Sequence, residues 1–132
     1  MEVYDLVHIE DDPRVVEIIE YWTKKNEISY RYFPALDELS LNRDTFFAKA
    51  WAVDGRFPIS KGELVKYNAD QAVRMIRERD SDAKIILYSG EMDLAEYAIN
   101  LDVESIGKNE ANSARRLVER VIEIGSGHSP RI

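Results

Sequence analysis

Val3-Tyr4-Asp5-Leu6-Val7-His8-Ile9, followed at once by Glu10-Asp11-Asp12-Pro13, is the stretch on which the fold turns. Its first part is nearly continuously apolar and carries β-branched residues, and it is short enough for a strand buried on both faces. Asp12 offers a side-chain acceptor for a helix start, and Pro13 suits the first turn, where its missing N–H would have no partner. Val15, Ile18, Ile19 and Trp22 then recur at helical spacing, which places all four on one face, with Asn26 as the stop. A strand running straight into a capped helix is the opening half of a βαβ unit.

The same alternation continues along the chain. Ile28 to Phe33 reads as a second strand closed by Pro34, with a short helix at Leu36 to Leu39, and Phe46 to Val53 as a third strand. In that third strand Trp51 and Val53 should face one side and Ala50 and Ala52 the other. After the turn Asp54-Gly55-Arg56-Phe57-Pro58 and Gly62, the apolar positions Val65, Ala69, Ala72, Val73 and Ile76 predict a helix ending near Arg79. Lys84 to Tyr88 is a fourth strand, Ala95 to Ile99 a shorter helix, and Val103 to Ile106 a fifth strand. Ala114, Leu117, Val118, Val121 and Ile122 mark a final amphipathic helix with Gly125 as its cap. Strands alternating with helices imply right-handed crossovers, hence an α/β, flavodoxin-like, doubly wound five-stranded parallel sheet of order 2-1-3-4-5 with helices on both faces. The expected organisation is one domain over residues 1–125 and a tail or linker remnant over 126–132.

Composition narrows the function classes. The 132 residues suit one domain. With 18 basic against 25 acidic residues the net charge is -7, a field that repels phosphate backbones and anionic lipid, so neither direct nucleic-acid binding nor membrane binding is expected. The absence of cysteine excludes disulfides, thiolate catalysis and Cys-based zinc sites, and agrees with a reducing compartment. The longest apolar runs, Ala50 to Val53 and Ile85 to Tyr88, are far too short to span a bilayer; the expected location is cytoplasmic.

Ligands bind such sheets at the carboxyl ends of the strands. There the sequence places Glu10, Asp11 and Asp12 after the first strand, Asp54 after the third, Ser89 after the fourth and Lys108 after the fifth. Carboxylates gathered this closely repel one another unless a cation intervenes, and an all-oxygen set beside a lysine favours Mg²⁺. A lysine and a metal together can neutralise a phosphoryl group moving onto a carboxylate, which makes this edge a candidate aspartyl-phosphate site.

In these residues the sequence resembles the receiver domain of two-component response regulators. Glu10-Asp11-Asp12-Pro13 resembles the family's acidic pair at the start of the first helix, and Asp54, with Pro58 and Gly62 behind it, the phosphoacceptor loop. Ser89-Gly90 resembles the hydroxyl and small residue after the fourth strand, Lys108 the lysine after the fifth, and the likeness extends from Val3 to about Gly125. It implies Asp54 as phosphoacceptor, Lys108 and Ser89 as holders of phosphoryl oxygens, and Ser89 as part of the switch. It implies Mg²⁺ held by Asp11 and Asp54, by Glu10 through water and by the backbone carbonyl of Arg56, with Asp12 and Glu91 as contributors. The implied donor is a histidine kinase or histidine phosphotransfer protein. The output is a contact with a downstream protein, and the chain is then a phosphoacceptor that assists its own phosphorylation and dephosphorylation, not an enzyme.

The loop Gly55-Arg56-Phe57 after Asp54 departs from the family's common hydrophobic run, and two single positions depart further: Asn109 stands where a proline usually follows the lysine, and Ser105 where the family's aromatic switch residue usually sits. They keep open a second reading, a degenerate receiver that binds its partner regardless of phosphate. A third, a Mg²⁺-dependent phosphohydrolase of the haloacid dehalogenase kind, needs an acidic residue two positions after the nucleophile, where this chain has Arg56. Taken singly, the acidic cluster could be a helix cap, Ser89 a turn former and Lys108 a solvated loop residue; their order along the strand ends favours the site. Of the two histidines, His8 lies inside the first strand and is expected to pack there, and His128 lies in the tail. Trp22 and Trp51 are expected in the core. Arg56 and Glu91, each two residues beyond a strand-end site residue, should meet across the mouth of the site.

Overall fold

The alternation along the central strand β3 (Phe46–Val53) sets the layering. Trp51 and Val53 face one core; Ala50 and Ala52 face the other. In the computed structural model, which describes residues 2–127, β3 is flanked by β1 (Glu2–Ile9) and β6 (Ile85–Ser89), with β2 (Tyr30–Phe33) and β7 (Glu104–Gly107) at the edges. The five strands are parallel in the order β2-β1-β3-β6-β7, the expected 2-1-3-4-5 arrangement. One core packs α2 (Leu36–Asn42), α3 (Ala69–Arg79) and α4 (Leu94–Leu101) against Val7, Ile9, Trp51, Val53 and Leu87. The opposite core packs α1 (Pro13–Lys25) and α5 (Ser113–Gly125) against Leu6, Ala50, Ala52, Ile86 and Ile106. Both faces of the sheet are thus covered, as a parallel sheet requires.

The entry to α1 follows the sequence closely. The Asp12 carboxylate accepts from the Arg14 backbone N–H at 2.9 Å, Pro13 fills the first helical position, and Asn26 ends the helix. The buried stripe of α1 is Val16, Ile19 and Thr23, whereas Ile18 is 52% exposed. Ile18 instead lines an open cleft between α1 and the start of α5, so only part of the expected face is buried.

The segment after Asp54 departs from expectation. Val65 fits the helical period but is half-exposed, and α3 begins only at Ala69. Between them β4 (Arg56–Phe57) and β5 (Lys66–Tyr67) form an antiparallel hairpin with registers Arg56↔Tyr67 and Phe57↔Lys66. Asn68 ties it down: its Nδ2 donates to the Phe57 carbonyl at 2.7 Å and its backbone N–H to the Gly55 carbonyl at 3.1 Å. A segment with its backbone groups satisfied this way need not enter the helix. Gly62, with φ of +89°, takes the left-handed position in the loop between the arms. At the other end of the chain, Gly125 is the last helical residue, and the left-handed φ of +82° falls on Gly127. Of the expected tail, Ser126 and Gly127 are described, and residues 128–132, His128 among them, lie outside the described residues. Among the described residues no helix is long and apolar enough to cross a membrane.

Candidate functional site

Because the five strands run parallel, their carboxyl ends deliver Glu10, Asp54, Ser89 and Lys108 to one edge. Lys108 is fixed there by its backbone, whose N–H donates to the Ser89 carbonyl at 2.9 Å. Its Nζ lies 2.5 Å from Glu10 Oε1 and 3.1 Å from Asp54 Oδ1, so one ammonium bridges two carboxylates. Glu10 is fully buried and Asp54 nearly so. Carboxylate oxygens of Glu10, Asp11 and Asp54 all lie within 4.8 Å of one another.

These charges are costly to hold. Burial and the neighbouring Asp54 charge push the Glu10 carboxyl up, against the pull of Lys108. Burial, reinforced by the Asp54 charge, also raises Asp11, although its backbone hydrogen bond opposes the shift. Burial works against the Lys108 charge, but Asp54 and Glu10 outweigh it and hold that ammonium above its ordinary range. A divalent cation fits the set: three oxygen donors converge, two are electrostatically strained, and a single lysine neutralises them incompletely.

The remaining candidates divide. Ser89 is buried beside the acceptor loop, its Oγ accepting from the Glu91 backbone N–H at 3.2 Å. A Cβ on Gly55 would stand 2.9 Å from that Oγ, so only glycine lets the loop pass this close. Arg56 and Glu91 do meet, with Nε to Oε1 at 2.5 Å, across the outer rim. Asp12 does not join the carboxylate trio; its oxygens serve the α1 cap and the Arg14 side chain at 3.2 Å, which also holds its pKa low. Ser105 is exposed on β7, and the Asn109 side chain packs against Gly90 instead of entering the site.

Two features were not legible as site elements in the sequence. Tyr67 of the hairpin packs on Tyr97 of α4, ring centroids 4.7 Å apart, and reaches within 3.5 Å of the Cβ position of Gly55. Tyr30, on β2, bonds His8 Nδ1 at 2.7 Å. Only the hairpin and the parallel register bring these pairs together, and neither has a local sequence signal. His8 itself is fully buried, as expected, and its Nε2 lies 3.8 Å from Glu10 Oε1. Burial first, and then the Lys108 charge, lower its pKa to about 3, so the ring is neutral.

The sequence matches no family model and no curated protein sequence. Solved structures do match. The RcsB response regulator of Salmonella typhimurium superimposes with a TM-score of 0.75 at 16% identity, over 100% of this chain and 64% of that one. This chain therefore spans just under two thirds of that regulator. The isolated REC domain of RcsB from Salmonella enterica serovar Typhimurium, solved with the phosphomimetic BeF3-, gives 0.74 at 17% identity, over 98% and 93% of the two chains. The response regulator protein TrrA from Thermotoga maritima, in complex with Mg²⁺-BeF, gives 0.70 at 17%, over 94% and 99%. Over its described residues the chain has the fold of response-regulator receiver domains.

Proposed function

We propose that this chain is a phosphoacceptor signalling domain that takes a phosphoryl group on Asp54 from a phosphohistidine donor in a Mg²⁺-dependent reaction. The observation that carries the reading is the Lys108 ammonium bridging Glu10 and Asp54 at the carboxyl edge of a receiver fold. An Asp54 oxygen attacks phosphorus in line, the new P–O bond forms as the P–N bond of the donor breaks, and the departing imidazole nitrogen keeps the electron pair and takes a proton. Lys108 turns from its carboxylates to a phosphoryl oxygen, and the Ser89 hydroxyl donates to another. Glu10, Asp11, Asp54 and the Arg56 carbonyl would hold Mg²⁺, whose chemistry when bound is to neutralise the phosphoryl oxygens as charge shifts onto the carboxylate.

The output runs through protein contact. Exposed Ser105 offers no bulky ring to swing inward, so the route from Asp54 to the surface is the hairpin: Arg56 to Glu91, and Tyr67 to Tyr97 on α4. Partner affinity should then change modestly on phosphorylation, by about tenfold or less, a coupling of about 1.4 kcal/mol. The test of the function itself is the intact mass after incubation with Mg²⁺ and acetyl phosphate. One added phosphoryl group supports the reading; an unchanged mass under conditions that label other receivers favours a phosphate-independent binding module.

A further inference from the structure

The phosphoacceptor reading leaves one buried group without a task. His8 sits near the end of β1 two residues before Glu10, and the strand's other fully buried residues, Leu6, Val7 and Ile9, are aliphatic. Its Nδ1 is engaged by the Tyr30 hydroxyl at 2.7 Å; its Nε2 has no hydrogen-bond partner and is aimed at Glu10 Oε1, 3.8 Å away. A polar nitrogen left fully buried and unpaired is costly, which calls for a reason.

The tautomer follows from the surroundings. A lone pair on Nε2 would face a carboxylate oxygen and be repelled, whereas an N–H there is attracted. With the proton on Nε2, Nδ1 is the acceptor and Tyr30 the donor. Burial raises the Tyr30 pKa, so that hydroxyl keeps the proton it must donate.

The geometry of Glu10 shows what such a donor is for. Oε2 is held by the Asp12 backbone N–H at 3.2 Å, while Oε1 depends on Lys108 at 2.5 Å. That same ammonium serves Asp54 at 3.1 Å, and on the proposed reading it moves to the phosphoryl group. Oε1 would then be left, still buried, without that ammonium. We propose that His8, oriented by Tyr30, is a positioning residue that takes up Glu10 Oε1 through its Nε2–H when Lys108 turns to the phosphorylated acceptor. The ring moves little, since the Tyr30 bond anchors it; Glu10 closes the gap by swinging about the oxygen held at Asp12. Outer-shell partners of ligating carboxylates act in this way, fixing the ligand without touching the reacting atoms.

This inference rests on the phosphoacceptor reading, and the experiment separates the two. The full chain is titrated with beryllofluoride in Mg²⁺ as the phosphoryl stand-in. His8→Asn keeps a polar group beside Tyr30 but has nothing at the Nε2 position; His8→Gln restores an N–H there. The Asn variant should bind beryllofluoride about tenfold more weakly, and the Gln variant should return to near the wild-type value, a rescue that a packing role would not produce. Tyr30→Phe preserves volume and provides a second variant should the Asn protein fail to fold; it should weaken binding by removing the group that orients the ring. In the wild type, ¹⁵N NMR of the His8 ring should place the proton on Nε2. Wild-type affinity in both the Asn and the Phe variants, or a proton on Nδ1, overturns the role of His8 while the phosphoacceptor reading stands. Failure of the wild type to bind beryllofluoride contradicts that reading, and the proposal built on it falls with it.

Discussion

The two ends of the parallel sheet are built on opposite terms. Where the strands end, Glu10, Asp11, Asp54 and Lys108 crowd charges into a poorly solvated edge. Away from that edge, Phe47, Ala48, Trp51, Met75 and Ile76 wall a mostly apolar cavity of about 130 Å³, with Arg43, Arg79 and Asp80 also in its lining. The apolar end gains stability from burial; the charged end gives some up, because each ion is kept from water with incomplete compensation. The difference teaches where to look for function: in the end that the fold stabilises least.

The sharpest way to break the comparison uses Trp51 and Asp54, three residues apart on one chain segment. Asp54→Asn should abolish phosphoryl uptake from acetyl phosphate entirely while the protein stays folded. Trp51→Ala should cost about 3–5 kcal/mol in denaturant unfolding, with uptake per folded molecule retained. Loss of uptake in the Trp51 variant under folding conditions would merge the two ends into one functional unit.

A smaller effect is expected from the metal. Mg²⁺ at a hundred times its dissociation constant should stabilise the folded protein by about 2.7 kcal/mol, and Asp11→Ala should remove that gain in thermal unfolding. The variant should also unfold no lower than the wild type without metal, since it relieves repulsion with Asp54. An undiminished Mg²⁺ effect in Asp11→Ala would show that the ion sits elsewhere.

The pH dependence sharpens the same point. The Glu10 carboxyl is pushed up to about 8 in the fold, from an ordinary value of 4.5, by burial and then by Asp54. Between those values the folded state holds a proton that the unfolded state has released. Glu10 therefore supports the metal-free protein fully below the lower value, and this contribution is lost as pH rises through the higher one. Mg²⁺ needs the ionised form, so its affinity should rise from pH 6 to 8, with proton uptake by the buffer reporting the displaced proton in calorimetry. A flat affinity across that range would contradict the raised Glu10.

The smallest change in stability belongs to the rim. The Arg56–Glu91 pair is partly solvated, so breaking it should cost about 0–1 kcal/mol. Its effect should be kinetic: a bridge closing the rim beside Asp54 would exclude the in-line water. Arg56→Ala and Glu91→Ala should each hasten phosphate loss after donor removal, and the double variant should add little. Equal rates in all four proteins would remove the lid while leaving the acceptor in place.

How much of this was legible depended on whether the signal was local. The turn from β1 to α1 is written in adjacent residues: Asp12 caps, Pro13 starts the helix, and both do so in the structure. The third strand was bounded at Phe46–Val53 by its alternation alone. Val65 falls in the helical period, so the sequence pattern extends α3 over Lys66–Tyr67, the second arm of the hairpin, and its first arm reads as a turn. What holds the hairpin, the Asn68 side chain on Phe57, acts across the chain. At the site, Asp54 and Lys108 could be placed by strand order, but Asp12 was counted with the acidic cluster although capping draws it away. His8 was expected to pack; its contact with Tyr30 depends on a register between β1 and β2 that no local pattern encodes.

The most direct test of the central claim is chemical mapping of the acceptor. An acyl phosphate on a carboxylate is reduced by borohydride to an alcohol, leaving homoserine where the aspartate stood. After incubation with Mg²⁺ and acetyl phosphate, followed by reduction and digestion, the modified residue should lie at position 54 and nowhere else. Modification at Asp11 or Glu10 instead, or none in a protein that remains folded, would contradict the assignment of Asp54 as the phosphoacceptor.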